Sequence, residues 1–240
     1  MATLIITNGD TAADLLAEAG REGTVLPWRD VLHEGPIVAG PLERCSAERA
    51  AWLAARLRLD PAQVGETFAE RDAIMRAHAD FDRSELWFEH DLYDQLQLVQ
   101  ALTFLADDGR ADGVFLVQAD DFLGHQTPKT VLRFLTLLRA VEEEDFDQAE
   151  LTWANLAMPT PEYVARDIDR PEGHLPFLSP ALHRFLEELP GPNGLSRTEE
   201  TALRAIASGT GQPLRLFPTV LAHEDAAFMG DISFFALLDD

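Results

Sequence analysis

Lysine and cysteine are almost missing from this sequence: each occurs once in 240 residues, as Lys129 and Cys45. One cysteine forms no internal disulfide, which fits a reducing compartment and excludes a stapled secreted fold. One lysine leaves Schiff-base chemistry a single candidate, at what reads as a helix start. No apolar run approaches the ~18 residues of a membrane span. Met1 to Thr7 has no basic start before Asn8-Gly9-Asp10, so no export signal is read there. The expected location is cytoplasmic. The signature motifs are absent too. There is no GxGxxG, P-loop, HExxH, CxxC or GxSxG pattern, which removes the standard dinucleotide, nucleotide, zinc-protease, dithiol and serine-hydrolase readings.

Positive charge is scarce. Nineteen bases face 42 acids, a formal charge of −23. A surface this acidic repels phosphate backbones and anionic membranes. The acids are spread along the chain rather than blocked, so they read as a solvated surface rather than an acidic tail.

What is present alternates. Leu4–Thr7 is a short apolar strand, broken by Asn8-Gly9-Asp10. Thr11–Ala19 has helical spacing, and Gly20 is placed to end it. Thr24–Trp28 is a second strand, followed by a turn-rich stretch to Pro41. Ser46–Leu59 and Asp60–Ala79 are helices, the second opened by an Asp-Pro cap. Glu85–Glu89 and Gly113–Gln118 are strands on either side of a helix, Asp91–Ala106. Thr127-Pro128 opens a helix to about Glu143, and helices follow at 146–158, 161–168 and 180–189. Ser196-Arg197-Thr198-Glu199 is a capping box opening another, and Asp231 is placed to cap a last one. The pattern predicts an α/β fold: a short parallel, Rossmann-like sheet with flanking helices, followed by an all-helical C-terminal region. The expected divisions are 1–125, 126–190 and 191–240, with Pro190–Gly194 as linker.

Loops leaving parallel strands emerge at one sheet edge, where ligands bind. Four such loops carry polar residues. The first offers Asn8, Gly9 and Asp10. Its glycine allows close approach of a ligand, although Asp10 or Thr11 also reads as an ordinary N-cap. The second offers His33 and Glu34 beside Gly35-Pro36. The third is Glu89-His90-Asp91, continuing to Asp94 and Gln95. Asp91, Asp94 and Gln95 share one helical face; a cap and a dipole-favourable acid account for the two aspartates, but not for Glu89, His90 and Gln95. The fourth is Asp120 to His125, which also reads as a solvated loop. Carboxylate-rich sites with few histidines suit magnesium or manganese. The expected metal ligands are Asp10, Glu89 and Asp94. His33, Glu34 and His90 are the expected catalytic groups, and Asn8, Gly9 and Gln95 the ligand-binding ones.

The run Leu86-Trp87-Phe88-Glu89-His90-Asp91-Leu92-Tyr93-Asp94-Gln95-Leu96 resembles the central motif of the bacterial domain of unknown function 1835. Gly35-Pro36, the stretch Asn193 to Glu199, and Phe228-Met229-Gly230-Asp231 with Phe234 fit the same family. The resemblance spans nearly the whole chain and implies no assigned reaction. It implies a small helix-turn-helix or winged-helix tail, here with an incomplete wing at Asp239-Asp240. That tail has three arginines against seven acids from Gly191 on, so a packing module is expected rather than a DNA reader.

Two readings follow. One is an enzyme-like small-molecule site performing metal-assisted hydrolysis or transfer on a phosphorylated or nucleotide-like metabolite. The other is a non-enzymatic regulator that senses a ligand and contacts a protein partner through its helical region.

Overall fold

The computed structural model describes residues 2–110, 112–168 and 174–239. Its centre is a five-stranded sheet: β1 (Thr3–Thr7), β2 (Thr24–Pro27), β3 (Arg83–Phe88), β4 (Val114–Gln118) and β5 (Arg139–Ala140). The order is β2-β1-β3-β4-β5. The first four strands are parallel, and β5 is antiparallel to β4.

Alternation along β1 and β3 splits the sheet into two apolar faces. Ile5 and Trp87 face α1 (Asp10–Glu18), whose Ala12 and Leu16 close that side. Leu4, Ile6, Leu86 and Phe88 face the other way, into the main core. That core is shared with α2 (Leu42–Arg56), α3 (Pro61–Arg76), α4 (Leu92–Asp107) and α5 (Glu143–Leu156). Helix α4 is buried almost all round, because the sheet lies on one side and α5 on another. Its buried amides are bonded: Gln97 Nε2 donates to the Asp30 carbonyl at 2.8 Å, and Gln100 Oε1 accepts from Trp28 Nε1 at 2.6 Å.

The punctuation follows the sequence. Gly20 sits at φ +77°, a left-handed position that closes α1, and its N–H donates to the Ala17 carbonyl. Asp60 caps α3 through the Ala62 N–H at 2.9 Å. Gly35, at φ +79°, has no room for a side chain, since a Cβ would lie 2.5 Å from the Trp52 ring.

One element differs from expectation. The stretch 127–143 is not one α-helix. A 3-10 turn spans Val131–Leu137, and the chain then joins the sheet as β5. The Thr130 hydroxyl takes up the Thr127 N–H at 2.9 Å, a local bond that competes with helix formation.

The remainder is helical: α6 (Glu162–Asp167), α7 (Leu178–Leu186), α8 (Arg197–Ala207), α9 (Pro213–Leu221) and α10 (Asp231–Asp239). Ser196 and Glu199 form the expected capping box. Ala202, Leu216, Val220 and Phe234 make a separate small core. Asp240, where the wing is expected to stop short, lies outside the described residues.

Candidate functional site

In this strand order, the connections from β1 and β3 leave toward opposite faces. Helix α1 packs on one side and α4 on the other. Their divergence opens a crevice beyond the carboxyl ends of the two central strands. Asn8 follows β1 there, and Glu89 follows β3.

The local sequence builds a cluster of acids in that crevice. Leu86 to Phe88 fill the sheet, so the chain arrives buried and the next polar side chains are buried with it. Asp91 is the N-cap of α4, and its Oδ1 accepts the Asp94 N–H at 3.1 Å. Asp94 turns back, and its Oδ1 accepts the Glu89 N–H at 2.6 Å. Asn8 Nδ2 donates to Asp94 Oδ2 at 2.8 Å and reaches Glu89 Oε1 at 3.5 Å. Glu89 Oε1 also accepts the Leu123 N–H at 2.7 Å. Gln95 Nε2 donates to the Glu89 carbonyl at 2.6 Å, and its Oε1 accepts from Gln118 at 3.3 Å.

Glu89, Asp91 and Asp94 each offer an oxygen, and these lie within 4.8 Å of one another. No arginine or lysine is paired with any of the three among the described residues. Burial is the main reason that their protons are held tightly. It pushes Glu89 up to about 8, with the Asp91 charge adding to the effect. Asp91 rises to about 7, and Asp94 stands well above the usual carboxylate range. Three buried carboxyls in this state are stabilised by protons or by a cation. Magnesium holds opposite ligands about 4.2 Å apart and calcium about 5 Å. The triad's oxygens, all within 4.8 Å of one another, are near enough to be shared by one divalent cation.

The structure joins Asn8, Glu89, Asp94 and Gln95 by hydrogen bonds, and it engages Asp10, Glu34 and His33 elsewhere. Asp10 is exposed and bound to Arg29, whose Nε lies 3.0 Å from both carboxylate oxygens. Gly9, extended at φ −166°, is the N-cap of α1 and bears no side chain to cap with, so neither Asp10 nor Thr11 plays that part. Glu34 pairs with Arg56 at 3.3 Å. His33 is buried edge-on against Tyr93 and Phe228. Burial, together with the Arg49 and Arg184 charges, pushes its pKa down to about 3, so it is neutral. His90 packs tilted against Phe122 and edge-on against Phe177, its ring centre 5.0 and 5.9 Å from theirs. With Asp91 it lines a cavity of about 220 Å³ whose walls include Arg184 and Glu224. A larger cavity, about 610 Å³, lies between α2 and α3 and touches none of these residues.

Asp91 and Gln118 are the contributors that sequence reasoning missed. Asp91 is visible as a cap, and a cap it is; its second oxygen has no sequence signature. Gln118 ends β4, beside the strand that carries the cluster, which only the strand order reveals.

No family model and no curated protein matches this chain.

The Asp10–Arg29 pair is a surface one, with the two side chains 64% and 40% exposed. Asp10→Ala is therefore expected to change stability by less than ~1 kcal/mol in urea denaturation. A loss above ~2 kcal/mol would show that Asp10 holds the start of α1.

Proposed function

We propose that this chain is a bacterial cytoplasmic enzyme that binds a divalent cation, magnesium or manganese, at Glu89, Asp91 and Asp94. On this reading it uses the cation for hydrolysis or transfer on a phosphorylated or nucleotide-like metabolite. We also propose that it belongs to the domain of unknown function 1835 family, on the residues 86–96. The observation that carries the reading is the buried triad at the crevice between β1 and β3, with no basic partner among the described residues. Evolution retains such mutually repelling groups where activity needs them, at a cost in stability. Asn8 fixes the Asp94 carboxylate, and Gln95 fixes the backbone that carries Glu89 by donating to its carbonyl. A bound cation would polarise a phosphoryl oxygen or activate water. His90 lines the same cavity as Asp91, and on this reading its imidazole would move the proton. Nucleic acid is not the expected partner, because the charge of −23 opposes it. No described helix is long and apolar enough to cross a membrane.

The test is thermal unfolding of chelated protein with added magnesium or manganese. The melting temperature is expected to rise with metal concentration, by the equivalent of about 2.7 kcal/mol at one hundred times Kd. Equal melting with and without metal would favour the regulator over the enzyme.

A further inference from the structure

We propose that residues 224–230 are a strap that closes the cavity beside the acidic triad, latched by Glu224 on Arg184 and by Phe228 on His33. Its meaning as a gate to a ligand site rests on the function proposed above; the strap itself does not.

Between α9 and α10 the chain has no regular structure from Asp225 to Gly230. Among the described residues, no backbone N–H in that stretch finds a backbone acceptor. Such a segment is held by its side chains and opens at lower cost than a helix. The holding is concentrated. Arg184 of α7 grips both Glu224 oxygens, through Nε and Nη2, each at 2.8 Å. Arg184 is itself fixed by Thr198 at 2.8 Å and by Glu188 at 2.7 Å. Phe228 is buried, with its ring centre 4.9 Å from the Arg184 guanidinium and 5.0 Å from the His33 ring. Met229 packs at the seam between the main core and the small C-terminal one.

The strap also belongs to the cavity. Glu224, Asp225 and Ala226 line it together with His90, Asp91 and Leu92. Moving these three residues therefore opens a wall of the space that Asp91 faces.

His33 supplies the opposing force. Both of its ring nitrogens are buried with no hydrogen-bond partner among the described residues. A neutral imidazole carries one donor and one acceptor, and leaving both unmet is unfavourable. Lifting Phe228 returns them to water. An ion pair and an apolar plug thus hold the strap shut against a polar penalty, the balance expected of a closure that moves.

The experiment is acylation of histidine by diethyl pyrocarbonate, which attacks the unprotonated ring nitrogen. It is run on the full chain without metal, with His33 followed by peptide mass spectrometry. In the unsubstituted protein, His33 is expected to react slowly and at a rate nearly independent of low urea, the mark of local opening. Glu224→Gln, which keeps shape and removes the charge from the latch, is expected to raise that rate about tenfold. A His33 rate that climbs with urea as steeply as global unfolding would overturn the proposal. So would an unchanged rate in a folded Glu224→Gln protein. The urea dependence needs no variant, so misfolding of the substituted chain leaves the test standing. Because metal is absent, a chain that ignores magnesium and manganese can still show the strap opening. That result would sink the metal site and leave the strap in place.

Discussion

An Arg49→Ala variant is expected to lose about 3–5 kcal/mol of stability, among the largest effects of any single substitution in the chain. Arg49 is 1% exposed, on α2. Its Nε donates to Asp30 Oδ1 at 2.9 Å. Its two terminal nitrogens donate to the carbonyls of Val31, Glu34 and Pro36 at 2.7, 2.8 and 3.1 Å. One guanidinium therefore satisfies the irregular loop after β2, which buries backbone groups and carries His33. Truncation takes the donor from the Glu34 and Pro36 carbonyls, leaves Val31 only the long Glu34 N–H bond at 3.4 Å, and leaves the Asp30 carboxylate, wholly buried, with only Arg71 at 3.9 Å among the described residues. A buried carboxylate stripped of its partner is the costly outcome. The double variant Arg49→Met, Asp30→Asn should recover part of the loss, because the stranded charge goes too. Urea denaturation of the three proteins measures this. A loss below ~1 kcal/mol for Arg49→Ala would mean that water replaces the arginine and the loop needs no clamp.

This clamp was invisible in the sequence, and the reason is general to the molecule. Arg49 sits in a helix whose other charged residues face water, and its partners lie 13 to 19 residues away. Nothing in its spacing separates a buried arginine from a surface one. The same limit applies at the site. Strand–helix alternation sufficed for the parallel sheet and for the edge at which polar loops meet. The abrupt passage from Leu86-Trp87-Phe88 to Glu89-His90-Asp91 marked the cluster, because a fully buried strand delivers its next residues into a buried place. Direction was not legible. Asn8 and Asp10 are two residues apart, yet Asn8 reaches Glu89 and Asp94 while Asp10 turns to Arg29. Strand β5 was hidden for a different reason. Two residues are too few to show alternation, and the turn before it reads as helix until its threonine bonds are seen.

The remaining large effect concerns charge in the triad, and its sign runs against ordinary expectation for a buried hydrogen-bonded group. Glu89→Gln in metal-free protein is expected to match the parent near pH 5 and to be more stable at pH 8, on the order of 2–4 kcal/mol. The folded-state pKa of Glu89, about 8, lies above the ordinary value of 4.5. The folded protein thus binds this proton more tightly than the unfolded chain does. The stability linked to it is fully present below pH 4.5 and is lost as pH rises through 8. Glutamine has no proton to lose, so the gap between the two proteins opens across that window. Glutamine also keeps an oxygen for the Leu123 N–H and Asn8 bonds. It removes a charge that raises the Asp94 pKa, which adds to the effect. The control lies four residues earlier, within β3. Glu85 is buried as well, but Arg21 and Arg83 both pair with it and Trp87 Nε1 donates to it at 3.1 Å. Glu85→Gln leaves two arginines without their anion and should destabilise at every pH from 5 to 8. Urea denaturation at pH 5, 6.5 and 8 with chelator present measures both. Loss of stability in Glu89→Gln at pH 8 would show that the carboxylate is held by a partner, and the triad would then be structural. The expected opposite signs, from one substitution at two buried glutamates, one within β3 and one just after it, would mark Glu89 as a charge kept without a counterion for a ligand to use.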